Sequence, residues 1–301
     1  MVSAYIPFFA SLGYALPSLF LYGLTIYVIK RYSAFFDSSF FTLYAYDGVM
    51  NVFTYFIGFV MMRLTSITCY DCPLASFYSK LGDYIPLNIF TTMSYHMAYV
   101  QYTTTMLISL NRLSVLYDYK LTEKIWRKYT WLIMSLVFIV PFADTHRLFY
   151  YTTEAKYDEE SDSFIFYTPT PLNDPFKFLI PAMSVISVSA VVINMISFIS
   201  LRHLKTVKKK KAENNLISIM CITCAVQFLG CIISALRVYS TNPKVSITLA
   251  GFLPYVSDGL TLVQPWLLVF LSSFMRDKIK QMWGIQQSSQ GTVVVVRSVT
   301  S

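Results

Sequence analysis

The chain has 301 residues, of which 55% are hydrophobic and only 13% charged, about half the charged share of a soluble domain. This much apolar and aromatic material excludes a disordered chain, and so few polar side chains cannot cover a water-soluble enzyme of this size. The composition therefore indicates a polytopic membrane protein, in which a net charge of +8 is typical of basic cytoplasmic loops and does not imply a nucleic-acid partner.

Seven apolar stretches follow along the chain, each close to the roughly 20 residues that a helix needs to cross a bilayer. They must be helices, because an unpaired backbone is not tolerated in lipid and no stretch alternates like a barrel strand. The fourth stretch is the weakest, since its outer turn has to carry Asp144, His146 and Arg147. We predict an all-α, seven-transmembrane helix bundle resembling a G-protein-coupled receptor, with spans at about 6–29, 41–62, 85–110, 129–148, 178–201, 216–236 and 245–270.

Lysine and arginine are distributed unevenly between the two sets of loops. The loops after spans one, three and five, together with the C-terminal tail, hold 17 of the 24 basic residues, and the alternate loops hold 7. Because basic residues accumulate in cytoplasmic loops, this bias predicts that the N-terminus is outside and the C-terminus cytoplasmic.

The long outer loop, residues 147–177, is acidic and aromatic rather than basic. One interpretation is a solvated loop with incidental aromatic residues. The other is a lid over an extracellular pocket that attracts cationic or amphipathic ligands.

Two carboxylates lie inside predicted spans, where a charged group is energetically costly and needs a reason. Asp47 shares a helix face with Asn51, and Asn111 and Arg112 are predicted at similar depth at the cytoplasmic end of span three. We predict that these four residues form a polar latch joining spans two, three and seven, which either rearranges on activation or acts as static interhelical glue. Asp258 is a ligand counter-ion, an ion or proton site, or a fifth member of the latch, and the last is favoured.

Span three carries several polar aromatic residues in its outer half. Tyr95, His96 and Tyr99 are predicted to line a ligand cavity with Gln227 of span six and Tyr255 of span seven. The alternative is ordinary packing in which each polar tip finds a partner.

The cysteines and histidines form no recognisable catalytic or metal-binding pattern, so we predict neither an enzyme nor a cofactor. Cys69 and Cys72 lie in an outer loop, where oxidation is permitted. We expect two free thiols, or a bond elsewhere, in preference to a strained local bridge.

The C-terminal segment is predicted to consist of two parts, a short helix and a disordered tail. Residues 272–283 place Met275, Ile279 and Met282 on one helical face and basic residues on the other, which is typical of a helix lying on the inner leaflet. Residues 284–301 predict a disordered tail with several serine and threonine phosphorylation sites.

Four segments resemble, in chain order, the nematode serpentine receptors of class gamma (Srg), between about residue 17 and residue 280. They are DGVMN at 47–51, TEKIWRKY at 122–129, KAENNL at 211–216 and LPYVSDGLTLVQPW at 253–266. The resemblance implies a chemosensory G-protein-coupled receptor in the plasma membrane, in the cilia of sensory neurons. Class V nematode receptors are the alternative family.

Two departures separate the chain from rhodopsin-like receptors. Asn111 and Leu113 flank Arg112 where those receptors carry an acid and an aromatic residue, and Gln264-Pro265-Trp266 stands near the place of their Asn-Pro-x-x-Tyr motif. Coupling by the familiar mechanism is therefore an inference by analogy.

The main hypothesis is a receptor that binds an extracellular small molecule and signals through a heterotrimeric G protein. The residues expected to contact the G protein or acidic membrane lipids are Arg112, Lys124, Arg127, Lys128, Arg202, Lys205, Lys208, Lys209, Lys210 and Lys211. The rivals are a transporter or ion channel, opposed by the odd span number and the absence of an inverted repeat, and a protein with a structural or trafficking role.

Overall fold

The computed structural model describes residues 2–72, 74–159, 162–169, 173–202 and 207–284. Its helices in these ranges are α1 (Val2–Arg31), α2 (Ser39–Gly58), α3 (Ala75–Tyr78), α4 (Leu81–Tyr84), α5 (Leu87–Tyr117), α6 (Tyr119–Ile139), α7 (Phe142–Thr145), α8 (Asn173–Arg202), α9 (Val207–Tyr239), α10 (Pro243–Leu271) and α11 (Ser273–Met282). A π-helical turn, Phe59–Arg63, and a 3₁₀ turn, Leu64–Ile67, extend α2, and a second 3₁₀ turn, His146–Tyr150, follows α7.

Six of the long helical segments are apolar and long enough to cross a membrane. They are Phe8–Arg31, Ser39–Ile67, Tyr119–Tyr150, Asp174–Leu201, Asn214–Tyr239 and Lys244–Leu271. The predicted helical, polytopic membrane architecture is therefore confirmed.

The remaining long helix, α5, is not among those six although it has 31 residues, which corresponds to about 46 Å at 1.5 Å per residue. It packs against α2, α6, α8 and α9, so its polar side chains face protein. The mean hydropathy of such a helix is low, because a helix enclosed by other helices needs less apolar surface than one surrounded by lipid.

Several helices extend beyond the predicted spans. The clearest case is α6, which begins at Tyr119, ten residues before the predicted span at 129, with Asp118 as its N-cap accepting from the Leu121 amide at 3.1 Å. Apolar length defines how far a helix runs in lipid, whereas capping defines where it starts, so the two boundaries differ.

The acidic loop contains a β-hairpin, which the sequence analysis did not predict. Strands β1 (Glu154–Asp158) and β2 (Ser163–Tyr167) pair antiparallel, with Ala155 opposite Phe166. Phe164 and Phe166 lie against buried Tyr78 of α3. The hairpin thus covers the α3–α4 region, and we call residues 64–86 and 146–169 together the hairpin end of the bundle.

The opposite end of the bundle, formed by residues 32–39, 111–128 and α11, is called the basic end here. Met275 of α11 is fully buried, and Ile279 and Met282 pack on the same core cluster as Phe36 and Phe40. The apolar stripe of this helix therefore packs on the bundle, and its location on the inner leaflet stays a prediction. The stripe finds a protein surface because residues 32–38 fold underneath it.

Residues 285–301 of the predicted tail lie outside the described residues.

Candidate functional site

A hydrogen-bonded network, called the central network here, joins four helices in the middle of the bundle. The Asn51 amide donates to the Asp47 carboxylate at 3.0 Å and to the Tyr22 hydroxyl at 3.3 Å. Gln101 of α5 donates to the Asn51 side-chain oxygen at 2.6 Å. The Tyr22 hydroxyl donates to the Thr261 carbonyl of α10 at 2.5 Å. All four polar side chains are buried, so the network replaces water as the partner of these groups.

The central network matches part of the predicted latch. Asp47 and Asn51 do connect spans two, three and seven, but the partner on span three is Gln101 and not Asn111 or Arg112. Gln264 of α10 is also a neighbour of the Asp47 carboxylate.

Asn111 belongs to a separate network at the basic end, centred on Ser39. Its amide donates to the Ser39 hydroxyl at 2.8 Å. The Glu123 carboxylate accepts from the Ser39 backbone N–H at 2.7 Å and from its hydroxyl at 2.8 Å. Arg127 donates to Glu123 and to Asp37, both at 3.0 Å. This network ties α2, α5 and α6 together two helical turns away from Asp47.

Arg112 is held inside the basic end rather than displayed on it. Its side chain is only 5% exposed. It donates to the Asn111 side-chain oxygen at 3.0 Å, and its guanidinium lies 4.1 Å from the ring centroid of Phe40. Arg112 therefore needs a rearrangement of α5 against α2 before it can contact another protein.

Asp258 is paired with a base and does not belong to the latch, which corrects the favoured expectation. Its carboxylate forms a salt bridge with Arg63, which is buried at the end of the π-helical turn, and accepts a hydrogen bond from Tyr14 of α1. The Arg63 guanidinium also lies 4.5 Å from the ring centroid of Tyr255. A carboxylate inside the bundle requires such partners, because an uncompensated charge there is strongly unfavourable.

The five predicted ligand residues point to different neighbours. His96 is fully buried against α6 and α7, where its ring lies 4.0 Å from that of Phe142 and its Nδ1 is 3.1 Å from the Thr145 hydroxyl. Tyr255 is 49% exposed and contacts Arg63. His96 and Tyr255 therefore have different neighbours from each other.

Tyr95, Tyr99 and Gln227 lie closer together, around the cluster that α5 forms with α8 and α9. Tyr95 contacts Phe176 edge to face, and the Tyr99 hydroxyl donates to Asp144 at 2.8 Å. Gln227 is only 1% exposed, and neither atom of its side-chain amide has a hydrogen-bond partner among the described residues. A buried amide without partners is costly, which makes this position a candidate for contact with a ligand.

The basic residues expected to contact a G protein or lipid differ in what the structure shows. Lys124, Arg127 and Lys128 are exposed on α6. Arg202 ends α8 and Lys208–Lys211 begin α9, but their side chains, and all of Lys205, lie outside the described residues.

Cys69 and Cys72 form a disulfide bond, so the expectation of free thiols is wrong. The turn between them brings the two Cα atoms to 4.9 Å, a separation that a disulfide spans readily. Sequence spacing alone suggested strain because the tight turn, closed by the Cys72 N–H to Cys69 carbonyl hydrogen bond of 2.8 Å, was not foreseen.

Asp162 attaches the hairpin to the loop after α2. Its carboxylate accepts from the Tyr157 hydroxyl at 2.5 Å and from the Tyr70 amide at 3.2 Å. The hydrogen bond from Tyr157 lowers the pKa of Asp162 and raises the pKa of Tyr157 to about 12. The pairing is therefore intact at neutral pH and weakens as acid protonates Asp162.

The site residues that were not predicted from the sequence include Tyr14, Arg63, Gln101 and Glu123. Two signals were present. An aspartate in the middle of a span requires a base within reach, and Arg63 directly follows the predicted span two. Gln101 is a strongly polar residue at the centre of span three.

A model of the Srg family chemoreceptors matches residues 8–279, nearly the whole chain. The chain belongs to the Srg family. One curated relative, serpentine receptor class gamma-31 of Caenorhabditis elegans, is 25% identical over 280 residues that cover 90% of each chain. The family predicted from the four sequence segments is thus confirmed, and it is a class of chemoreceptors rather than of enzymes.

Proposed function

We propose that this Srg chain is a chemosensory receptor that binds an extracellular small molecule and signals through a heterotrimeric G protein. The observation that carries the proposal is the family match over residues 8–279, joined to a buried arginine at the basic end. The expected location is the plasma membrane of ciliated sensory neurons, with the N-terminus outside and α11 in the cytosol.

The basic end is the proposed signalling surface. In the resting state Arg112 is covered by Phe40, while Lys124, Arg127 and Lys128 are already exposed. A ligand that favours a second packing of α5 against α2 and α6 shifts the population toward a state with Arg112 accessible. Arg202, Lys205 and Lys208–Lys211 then add positive charge toward the G protein or acidic headgroups.

The ligand is proposed to contact α5, α8 and α9 through Tyr95, Tyr99 and Gln227. His96 and Tyr255 are not retained as ligand contacts, because His96 faces α6 and α7 and Tyr255 contacts Arg63. The central network lies between this region and the basic end, and it is suited to transmit a shift of α5 because Gln101 is one of its members.

The test is a calcium screen of volatiles and secreted metabolites in reporter cells that express this chain and a promiscuous Gα subunit. Arg112→Ala is expected to abolish the response to an active compound at unchanged surface expression. Lys80→Ala, an exposed base at the hairpin end, is the matched control and should respond normally. An undiminished response of Arg112→Ala at equal surface expression would contradict the coupling site.

A further inference from the structure

A cavity of about 480 Å³ lies between α5, α6 and α8, within the size range of small-molecule sites. Most of its lining is aliphatic. Leu107 contributes from α5, Leu136 and Val137 from α6, Val140 from the C-cap of α6, and Ile186 from α8.

The open side of this cavity lies on a helical segment that is long and apolar enough to cross a membrane. Leu136 and Val140, which line it, are 49% and 60% exposed on the outside of the bundle, and both belong to a membrane-spanning segment. A molecule therefore reaches the cavity from the acyl chains of the bilayer rather than from water.

The cavity also has a polar end, formed by Tyr99 and Asp144. The Asp144 carboxylate accepts from the Tyr99 hydroxyl at 2.8 Å and from Arg147 at 2.9 Å. A carboxylate offers about four lone-pair positions, so Asp144 has acceptor capacity left. Arg147 also reaches Asp174 at 3.6 Å, and Lys177 lies on the next turn of α8, so these four charges are balanced. The site therefore selects a hydrogen-bond donor rather than a particular charge.

We propose that this cavity binds a lipophilic small molecule whose polar end donates a hydrogen bond to Asp144, an alcohol or a protonated amine on an aliphatic chain. The proposal rests on the receptor function and adds a ligand class and a lateral route of entry, at a site that shares Tyr99 with the contacts proposed above but does not include Tyr95 or Gln227. It also connects the ligand to signalling, because Leu107 lies one helical turn before Asn111 on α5.

The experiment uses the full chain in lipid nanodiscs and two photoreactive probes. Each probe is a decyl chain carrying a diazirine and an alkyne, and one ends in a hydroxyl group and the other in a methyl ether. The hydroxyl probe should label peptides of α5 and α6 about tenfold more than the ether, the factor expected for one hydrogen bond to a charged acceptor. Equal labelling by both probes would mean that ordinary lipid fills the cavity and would overturn the proposal.

Competition and two cavity variants sharpen the comparison. Decanol and decylamine should both displace the hydroxyl probe, whereas decyl methyl ether should not. Leu136→Trp should fill the cavity and remove labelling, and Val192→Trp, in a separate apolar groove between α8 and α9, should leave it unchanged. Because Leu136 faces lipid, the tryptophan is compatible with folding, and the two-probe comparison on the unaltered chain needs no variant at all.

The Asp144→Asn variant distinguishes binding of an alcohol from binding of a protonated amine. The substitution keeps an acceptor oxygen at this position but removes the negative charge. Labelling by an alcohol should persist in this variant, and displacement by decylamine should weaken. Persistent labelling with equal strength in Leu136→Trp would sink the assignment of the site. Because labelling is measured without a G protein, it succeeds or fails independently of the coupling proposed above.

Discussion

Arg63 and Asp258 show how single residues make a charged pair tolerable within the bundle. Arg63 lies at the C-terminal end of the helical segment that begins with α2, and side chains on a helix lean toward its N-terminus. The long Arg63 side chain therefore reaches back along the segment into the bundle, toward the middle of α10. Tyr14 and Tyr255 complete its surroundings, so the pair joins α1, the α2 extension and α10.

The pair predicts an asymmetry between single and double substitutions. Asp258→Leu alone, or Arg63→Met alone, leaves one charge inside the bundle without its partner and should lower the stability by about 3–5 kcal/mol. The double variant removes both charges and should recover most of that loss. Thermal unfolding of purified protein in a fixed detergent measures all three.

Lys80→Met is the control, because it also removes a basic residue but from an exposed position at the hairpin end. The stability of this variant should hardly differ from that of the unaltered protein. A double variant no more stable than either single variant would show that the two charges do not stabilise each other.

Residue-level pairing was predictable only along one helix. The i, i+4 spacing places Asp47 beside Asn51 whatever the rest of the chain does. Gln101 contacts Asn51, and Arg63 contacts Asp258, because of how neighbouring helices are rotated and how deep they lie. The length of an apolar stretch defines neither property. For the same reason, Asn111 was predicted next to Asp47 but hydrogen-bonds to Ser39 instead.

Among the helices, the start of α2 has an unusual cap. The N-cap residue Ser38 makes no side-chain capping hydrogen bond. The Glu123 carboxylate from α6 instead accepts a hydrogen bond from the Ser39 amide. A negative charge at a helix N-terminus also interacts favourably with the helix dipole and so stabilises α2. Glu123 thereby positions α6 and Arg127 relative to α2, and Ser39 in turn positions Asn111 beside Arg112.

This arrangement predicts that Glu123→Ala raises basal signalling. Loss of the carboxylate removes the cap of α2, leaves Arg127 with Asp37 alone and leaves Ser39 less ordered under Asn111, so the resting packing loses roughly 0.5–2 kcal/mol. The measurement is ligand-independent calcium or cyclic-nucleotide signal normalised to surface expression.

Lys120→Ala is the matched control, because Lys120 is an exposed base on the same helix. Its basal signal should equal that of the unaltered chain. A Glu123→Ala receptor with normal surface expression and an unchanged basal signal would contradict the resting-state role of this cap.

The elements at the hairpin end were the hardest to foresee. The alternation in β1 and β2 extends over only five residues each, which is too short to distinguish a strand from a loop. The hairpin depends on tertiary partners, namely Tyr78 beneath it and the Thr68 hydroxyl, which accepts from the Phe164 amide at 2.9 Å. The Cys69–Cys72 bond belongs to the same region and depends on the same local folding.

For the whole molecule, the number and order of long helices followed from the sequence because each apolar stretch must be long enough to cross the bilayer. The central position of α5 was less evident from the sequence. Its polar side chains lower its hydropathy, although the helix is enclosed by its neighbours. What apolar length leaves open is how the helices rotate against each other, and that rotation separates the single predicted latch into the central network, the basic-end network and the Arg63–Asp258 pair.

The receptor proposal depends on how this bundle is oriented in the membrane, since the ligand must meet one end and the G protein the other. Epitope tags placed before Met1 and after Ser301 test this directly, with antibody added to intact and then to permeabilised cells. Intact cells are expected to stain for the N-terminal tag only, and the C-terminal tag is expected to stain after permeabilisation. Staining of the C-terminal tag on intact cells, with the N-terminal tag hidden, would contradict the orientation and the signalling surface assigned to Arg112.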